Sequence, residues 1–253
     1  MSEHDDLWLV PPPSLALSFH DVHTWRASLD RPESSVEAMQ RTLTADESAR
    51  ANRFHHQRDR RRYVVARGIL RAILGRYLAM EPHQLRFSYN DFGKPALSQE
   101  SKIEDIQFNL SHTDGTALYA VTYGRRIGVD IESVRPIVES EQIAEQFFSS
   151  AEVADLCKIR EEVKDRAFFN CWTRKEAYIK AKGEGISLPL NQFSVSMSPE
   201  EPAAITSIKG TGDEPSRWSL RDLNVGSGYA AALAVEGRIA DLRCWQWPEE
   251  WIA

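Results

Sequence analysis

With 253 residues and 42% hydrophobic content, the chain can bury a sizeable core as one large domain or two small ones, which excludes bulk disorder. A formal net charge of -6 and a pI near 5.7 exclude a general nucleic-acid binder, so any anion site must be basic only locally. Three widely spaced cysteines, Cys157, Cys171 and Cys244, suggest neither a disulfide framework nor a CxxC metal site. The opening residues are acidic where a signal peptide is basic, and no apolar run approaches the roughly 20 residues that span a bilayer. A soluble cytoplasmic protein without nucleic-acid or membrane partners is expected.

In chain order, Leu7 to Val10 reads as a short edge strand stopped by Pro11, Pro12 and Pro13, because proline cannot donate to a ladder. Thr44 and Glu47 have capping-box spacing and open a short helix running to about Phe54, which carries Arg50 and Arg53. From about Asp59 to Ala79, Val65, Ile69, Leu70, Ile73, Leu74, Tyr77 and Leu78 recur at helical spacing with Arg60, Arg61, Arg62, Arg67 and Arg71 among them. Strands are expected over 84–89, 117–123 and 127–131. The plan then repeats: helices near 141–148, 151–159 and 162–182, the last ended by Gly183 and Gly185, then strands near 192–197, 218–223 and 230–235.

Two local echoes support a duplication. Leu85-Arg86-Phe87-Ser88 after the first long helix matches Asn191-Gln192-Phe193-Ser194 after the second, and Ala120 to Arg125 resembles Leu233 to Arg238. The expected fold class is therefore α+β, with two similar halves, residues 1–124 and 125–253. Each is a small antiparallel sheet packed on a long helix, with the ligand site in the cleft between them.

Within Gly128-Val129-Asp130-Ile131-Glu132, the strand period puts both carboxylates on one face and Val129 and Ile131 on the other. Such a two-oxygen claw suits Mg2+, which prefers a few carboxylates, waters and phosphate oxygens. In Trp172-Thr173-Arg174-Lys175-Glu176-Ala177-Tyr178-Ile179-Lys180, helical spacing aligns Trp172, Glu176 and Lys180 on one stripe. Gly93-Lys94-Pro95 and Phe108-Asn109-Leu110-Ser111-His112 each fall in a loop or at a strand end, where Lys94 and His112 suit phosphate recognition.

The ordered set of these motifs, together with Phe147-Phe148-Ser149, resembles the Sfp-type 4'-phosphopantetheinyl transferase family over roughly residues 44–193. The resemblance implies two α+β halves related by a pseudo-twofold, with coenzyme A lying across the cleft. It implies that Asp130, Glu132 and Glu176 bind Mg2+ with the coenzyme A pyrophosphate, and that Lys180 contacts a phosphate. Ser111 and His112 would hold the nucleotide end, with Arg50, Gly93, Lys94 and, as a weaker candidate, Arg62 toward the 3'-phosphate. One departure is Glu47, where some relatives carry lysine, which bears on the strength of that clamp. Phe147 and Phe148 open a segment that the family places near its carrier-docking surface, and they read equally well as core.

The implied reaction moves the phosphopantetheine arm of coenzyme A to a serine of an apo acyl or peptidyl carrier protein, releasing 3',5'-ADP. Lys180 would neutralise the leaving group, and Glu176, directly or through a water, would act as base. Two rivals stand beside this reading. One is another Mg2+-dependent phosphoryl or nucleotidyl transferase, which the absent Walker-type loop disfavours. The other is a non-catalytic module that binds coenzyme A or a carrier. The duplication favours a monomer, since one chain holds both walls of the cleft.

Overall fold

The computed structural model describes residues 8–98, 105–185, 188–210 and 215–251. Leu7 of the expected first strand lies outside them; of its neighbours, Leu9 makes only an isolated parallel bridge to Trp245. The chain then builds β1 (Asp21–Ser28), α1 (Glu33–Gln40), α2 (Ala45–Ala51) and α3 (Gln57–Leu78), followed by β2 (Phe87–Tyr89), β3 (Pro95–Leu97), β4 (Ile106–Thr113) and β5 (Thr116–Tyr123). The same succession follows as β6 (Ile127–Ser133), α4 (Ser140–Phe147), α5 (Ser150–Leu156), α6 (Glu161–Lys182), β7 (Phe193–Val195), β8 (Ile205–Ile208), β9 (Trp218–Asp222) and β10 (Tyr229–Glu236). A last strand, β11, covers Asp241–Gln246.

The strand orders repeat as well. β1-β5-β4 in the first sheet corresponds to β6-β10-β9 in the second, and each unit carries a side hairpin, β2-β3 or β7-β8. Both sequence echoes fall on equivalent strands, β2 with β7 and β5 with β10. The fold is α+β, built from two copies of one topology. It departs from a pair of purely antiparallel sheets in one respect: β11 leaves the second unit and joins the first sheet, pairing in parallel with β1.

Why these elements form is visible in two buried ion networks that repeat with the topology. Thr44 opens α2 as its N-cap, and its amide donates to Glu47 Oε2 at 3.0 Å. Glu47 also accepts from Arg67 Nε at 2.9 Å and Arg71 Nε at 2.7 Å, and Arg71 continues to the carbonyls of Pro82 and Leu85. In the second unit Ser149 caps α5, and its amide donates to Glu152 Oε2 at 2.8 Å. Lys175 of α6 meets Glu152 at 2.8 Å and donates to the carbonyls of Leu190 and Phe193. Each network ties a short helix, a long helix and the following hairpin into one body, so both acids are structural. Glu47, 1% exposed, is therefore a capping and ion-pairing residue. Burial works to raise its carboxyl, but the guanidinium of Arg67, the Thr44 amide and Arg71 outweigh this and hold it below the usual carboxylate range.

Three apolar clusters fill the interior. One packs α3 on the first sheet through Trp25, Ile69, Ile73 and Tyr119, and one packs α6 on the second through Phe168, Tyr178, Phe193 and Ala232. The third lies where the sheets meet and includes Leu118, Ala120, Val129, Ile131 and Leu233. Val129 and Ile131 thus take the buried face of β6 and leave Asp130 and Glu132 on the other. No described helix is long and apolar enough to cross a membrane.

Candidate active site

β4 and β6 meet at the seam between the units, and the seam is polar. Asn109 Oδ1 accepts from the Val129 amide at 2.9 Å, and two residues further along β4 Ser111 Oγ donates to Asp130 Oδ1 at 2.8 Å. Of the two placements expected for Phe108 to His112, a loop or a strand end, the structure gives the strand: the motif lies in β4, which ends at Thr113. Asn109 was quoted in the sequence motif without a role; its amide oxygen fixes the seam's register, which sequence spacing alone does not reveal.

α6 reaches this seam because Gly128 lets β6 approach it closely. A Cβ at Gly128 would stand 2.1 Å from the Ala177 carbonyl oxygen, so no other residue fits. Along α6, Arg174 and Lys175 turn inward, Arg174 gripping Asp222 at 2.6 and 2.9 Å. Trp172, Glu176 and Lys180 turn to the cleft, as their spacing of four predicts, and all three line a cavity of about 680 Å3 with Gly93, Lys94, Asn109 and Phe147. Phe147 meets Trp172 edge-on at 5.7 Å, whereas Phe148 is buried against Phe168.

Lys180 Nζ donates to Asp130 Oδ1 at 2.5 Å and to Ser111 Oγ at 3.0 Å. Asp130 is 3% exposed, and its second oxygen, Oδ2, is buried without a hydrogen-bond partner among the described residues. Leaving a buried carboxylate oxygen unsatisfied is costly, and a cation would meet that need. Burial, then the charges of Asp130 and Glu176, push the Glu132 carboxyl up, against Lys180 and Arg135. Burial likewise raises Glu176, with Asp130 adding to it and Lys180 opposing. Among the described residues no three acidic, His or Cys side chains are gathered closely enough to form a ready metal cage. The charge of Asp130 nevertheless reaches both Glu132 and Glu176, and that of Glu176 reaches Glu132, and all three are the hard oxygen donors that Mg2+ takes. The donor set therefore fits Mg2+ in chemistry, with the Lys180 ammonium resting on Asp130 where a cation is wanted.

The remaining expected site residues are His112, Arg62, Arg50, Gly93 and Lys94. His112 is exposed at the edge of this centre but crowded by the cleft; that desolvation, with Lys180 and Arg62 nearby, holds its imidazole below the ordinary range. Arg62 makes a bidentate pair with Asp30 at 2.7 and 2.8 Å on a partly exposed surface. Arg50 is exposed, with its guanidinium 6.0 Å from the Tyr63 ring centroid. Gly93 sits in the β2-β3 turn at φ +79°. Lys94 departs from expectation: its ammonium donates to the carbonyls of Lys180 at 2.6 Å, Ile127 at 3.0 Å and Ala181 at 3.3 Å. Lysine has three N–H donors, so none is left for a phosphate in this geometry. Burial and the nearby Arg126 lower its pKa to about 8.

Carboxylates, a lysine and a cleft thus converge at the seam of an α+β pair of repeats. Residues 126–234 match the 4'-phosphopantetheinyl transferase superfamily, and residues 23–123 match the family described as 4'-phosphopantetheinyl transferase, N-terminal. The chain belongs to the 4'-phosphopantetheinyl transferase superfamily. It is 43% identical to the 4'-phosphopantetheinyl transferase HetI of Nostoc sp. over 91% of this chain and 94% of that protein. It is 30% identical to the 4'-phosphopantetheinyl transferase Sfp of Bacillus subtilis over 82% of this chain and 89% of that one.

Proposed function

We propose that the protein transfers the 4'-phosphopantetheine group of coenzyme A to a serine hydroxyl of an apo acyl or peptidyl carrier protein and releases 3',5'-ADP, in a Mg2+-dependent reaction. The observation that carries this reading is the buried, unsatisfied Asp130 Oδ2 beside Lys180 at the mouth of a cavity that Glu176 also lines.

In this reading Asp130, Glu132 and Glu176 hold Mg2+, which when bound supplies Lewis-acid neutralisation of the pyrophosphate. Lys180 shifts from Asp130 toward a phosphate oxygen and offsets charge on the departing 3',5'-ADP. Glu176, raised by burial, takes the serine proton directly or through one water; a raised carboxyl is a better proton acceptor near neutral pH. Ser111 and His112 hold the nucleotide end. Arg50 and, after releasing Asp30, Arg62 face the 3'-phosphate, while Gly93 keeps the turn low enough for close approach. An exposed ion pair such as Arg62–Asp30 is worth about 0–1 kcal/mol, so exchanging it for a phosphate costs little.

The division of labour follows the repeat, with residues 1–124 serving the nucleotide and 125–253 the metal and chemistry. We place the protein in the cytoplasm as a monomer, since both walls of the cleft come from one chain. Intact-mass spectrometry of an apo carrier protein incubated with coenzyme A, Mg2+ and the protein tests the proposal. The expected result is a gain of one phosphopantetheine, lost with Glu176→Ala and with EDTA. Unmodified carriers in the presence of bound coenzyme A would overturn it.

A further inference from the structure

The turn between β2 and β3 belongs to the first unit, yet its side chains act on the second. Asn90 organises the turn: its Oδ1 accepts from the amides of Phe92 at 3.0 Å and Lys94 at 2.8 Å. Its Nδ2 donates at 2.7 Å to the carbonyl of Gly183, the residue that ends α6 in a left-handed conformation. Phe92 packs its Cβ and ring within about 3 Å of where a Cβ would stand on Gly185. Lys94 then reaches under the end of α6 to the carbonyls of Lys180 and Ala181, and across to that of Ile127 at the start of β6.

The last carbonyls of a helix have no partner within it, and a cation there also meets the negative end of the helix dipole. Gly183 returns its amide to Ile179, which leaves the carbonyls of Lys180, Ala181 and Gly183 to be satisfied from outside. Lys94 and Asn90 supply that satisfaction. The two elements they join are those carrying the charged centre: β6 brings Asp130 and Glu132, and the final turns of α6 bring Glu176 and Lys180. The ammonium is enclosed enough that burial lowers its pKa, as a cation facing open solvent or a mobile phosphate would not require.

We propose that Lys94 and Asn90 are positioning residues. They cap the end of α6 from the opposite unit and fix the Lys180 backbone against β6, so that the Lys180 side chain meets both Asp130 and the phosphate at one reach. The Lys94 ammonium thus acts through Lys180 and contacts no phosphate. This rests on the reading of Lys180 as a phosphate ligand given above.

The experiment compares wild type with Lys94→Met, Lys94→Arg and Asn90→Ala. It measures kcat and KM for coenzyme A, and calorimetric affinity for coenzyme A against dephospho-coenzyme A, which lacks the 3'-phosphate. It also measures amide hydrogen exchange of the peptide spanning 177–183. Expected for Lys94→Met is a kcat lower by about ten- to a hundredfold, the scale of a misplaced reacting group. The ratio of affinities for the two nucleotides should stay within twofold of wild type, and exchange in the last turn of α6 should quicken. Lys94→Arg should recover part of the kcat, and Asn90→Ala should show the same pattern more weakly. A collapse of the affinity ratio by tenfold or more makes Lys94 a 3'-phosphate ligand and overturns the proposal, as does unchanged exchange in 177–183. Should Lys94→Met fail to fold, Asn90→Ala decides by the same readouts. If the wild type modifies no carrier, the transfer reading fails, while exchange and binding still decide the cap.

Discussion

Lys180 and Asp130 form one ion pair at the centre of the candidate site. The ammonium lies 2.5 Å from a carboxylate whose other oxygen has no partner among the described residues. Removing it with Lys180→Met leaves a buried charge uncompensated, and the partly exposed lysine side chain brings the expected loss to about 1–3 kcal/mol. Mg2+ should restore part of that loss and stabilise the variant more than it stabilises wild type. Thermal melts with and without Mg2+ check this, and equal metal-induced shifts in the two proteins would count against a cation site at Asp130.

His23 is a second residue whose charge state matters, far from the cleft. It is buried, its Nδ1 lies 2.6 Å from Tyr77 Oη, and burial lowers its pKa to about 4. The folded state then binds fewer protons than the unfolded state between pH 4 and the ordinary histidine value near 6.5. Stability contributed by neutral His23 is therefore present above pH 6.5 and lost as pH falls toward 4, by about 3 kcal/mol at 1.36 kcal/mol per unit. His23→Gln should flatten that part of the acid slope in urea unfolding between pH 4.5 and 7, and an unaltered slope would assign the acid sensitivity elsewhere.

At the scale of elements, the two capping networks and the β6–α6 approach set the site. Glu47→Gln or Glu152→Gln strips the charge partner from a fully buried cation network, for an expected loss of about 3–5 kcal/mol each in chemical denaturation. Because the folded Glu47 carboxyl is held below its usual range, its contribution is present above the ordinary glutamate value and lost as pH falls through the folded one. Gly128→Ala would drive a methyl into the α6 backbone and part β6 from α6. We expect about 1–3 kcal/mol of destabilisation from overpacking, and a larger fall in carrier modification than the stability loss alone explains. Normal modification with normal stability would show that the approach is not needed.

These elements also show what the sequence could reveal. Both long helices were legible from their periodicity, and the carboxylate face of β6 from its strict alternation, because each is a local pattern. β1 was not: it is buried on both faces and includes His23 and Thr24, whose polar groups are met by Tyr77 and Cys244, so it lacks the alternation of a half-exposed strand. Thr44 and Glu47 announced a cap, but not that Arg67 and Arg71 would enclose the acid. The contacts of Lys94 are likewise invisible in local sequence. A lysine after glycine in a turn is chemically suited to phosphate, and only the assembled fold shows three carbonyls waiting for it.

Taken whole, the molecule is two repeats closed by one extra strand. β11 lies in register with β1 from Asp21–Asp241 to Arg26–Gln246, and Trp245 and Trp247 pack with Trp25. Deleting residues 241–253 should leave an open edge on β1 and an incomplete aromatic core. The expected outcome is loss of the cooperative melt for the shortened chain, with aggregation during expression; a soluble, cooperatively melting product would show that the first sheet stands without β11.

That closure also has a meaning in time. A ribosome delivers the first unit's three antiparallel strands long before it delivers β11, with the whole second unit threaded between them. Throughout that interval the nascent chain presents β1 with one side unpaired. The first sheet therefore reaches its finished form only after the whole second unit has been made.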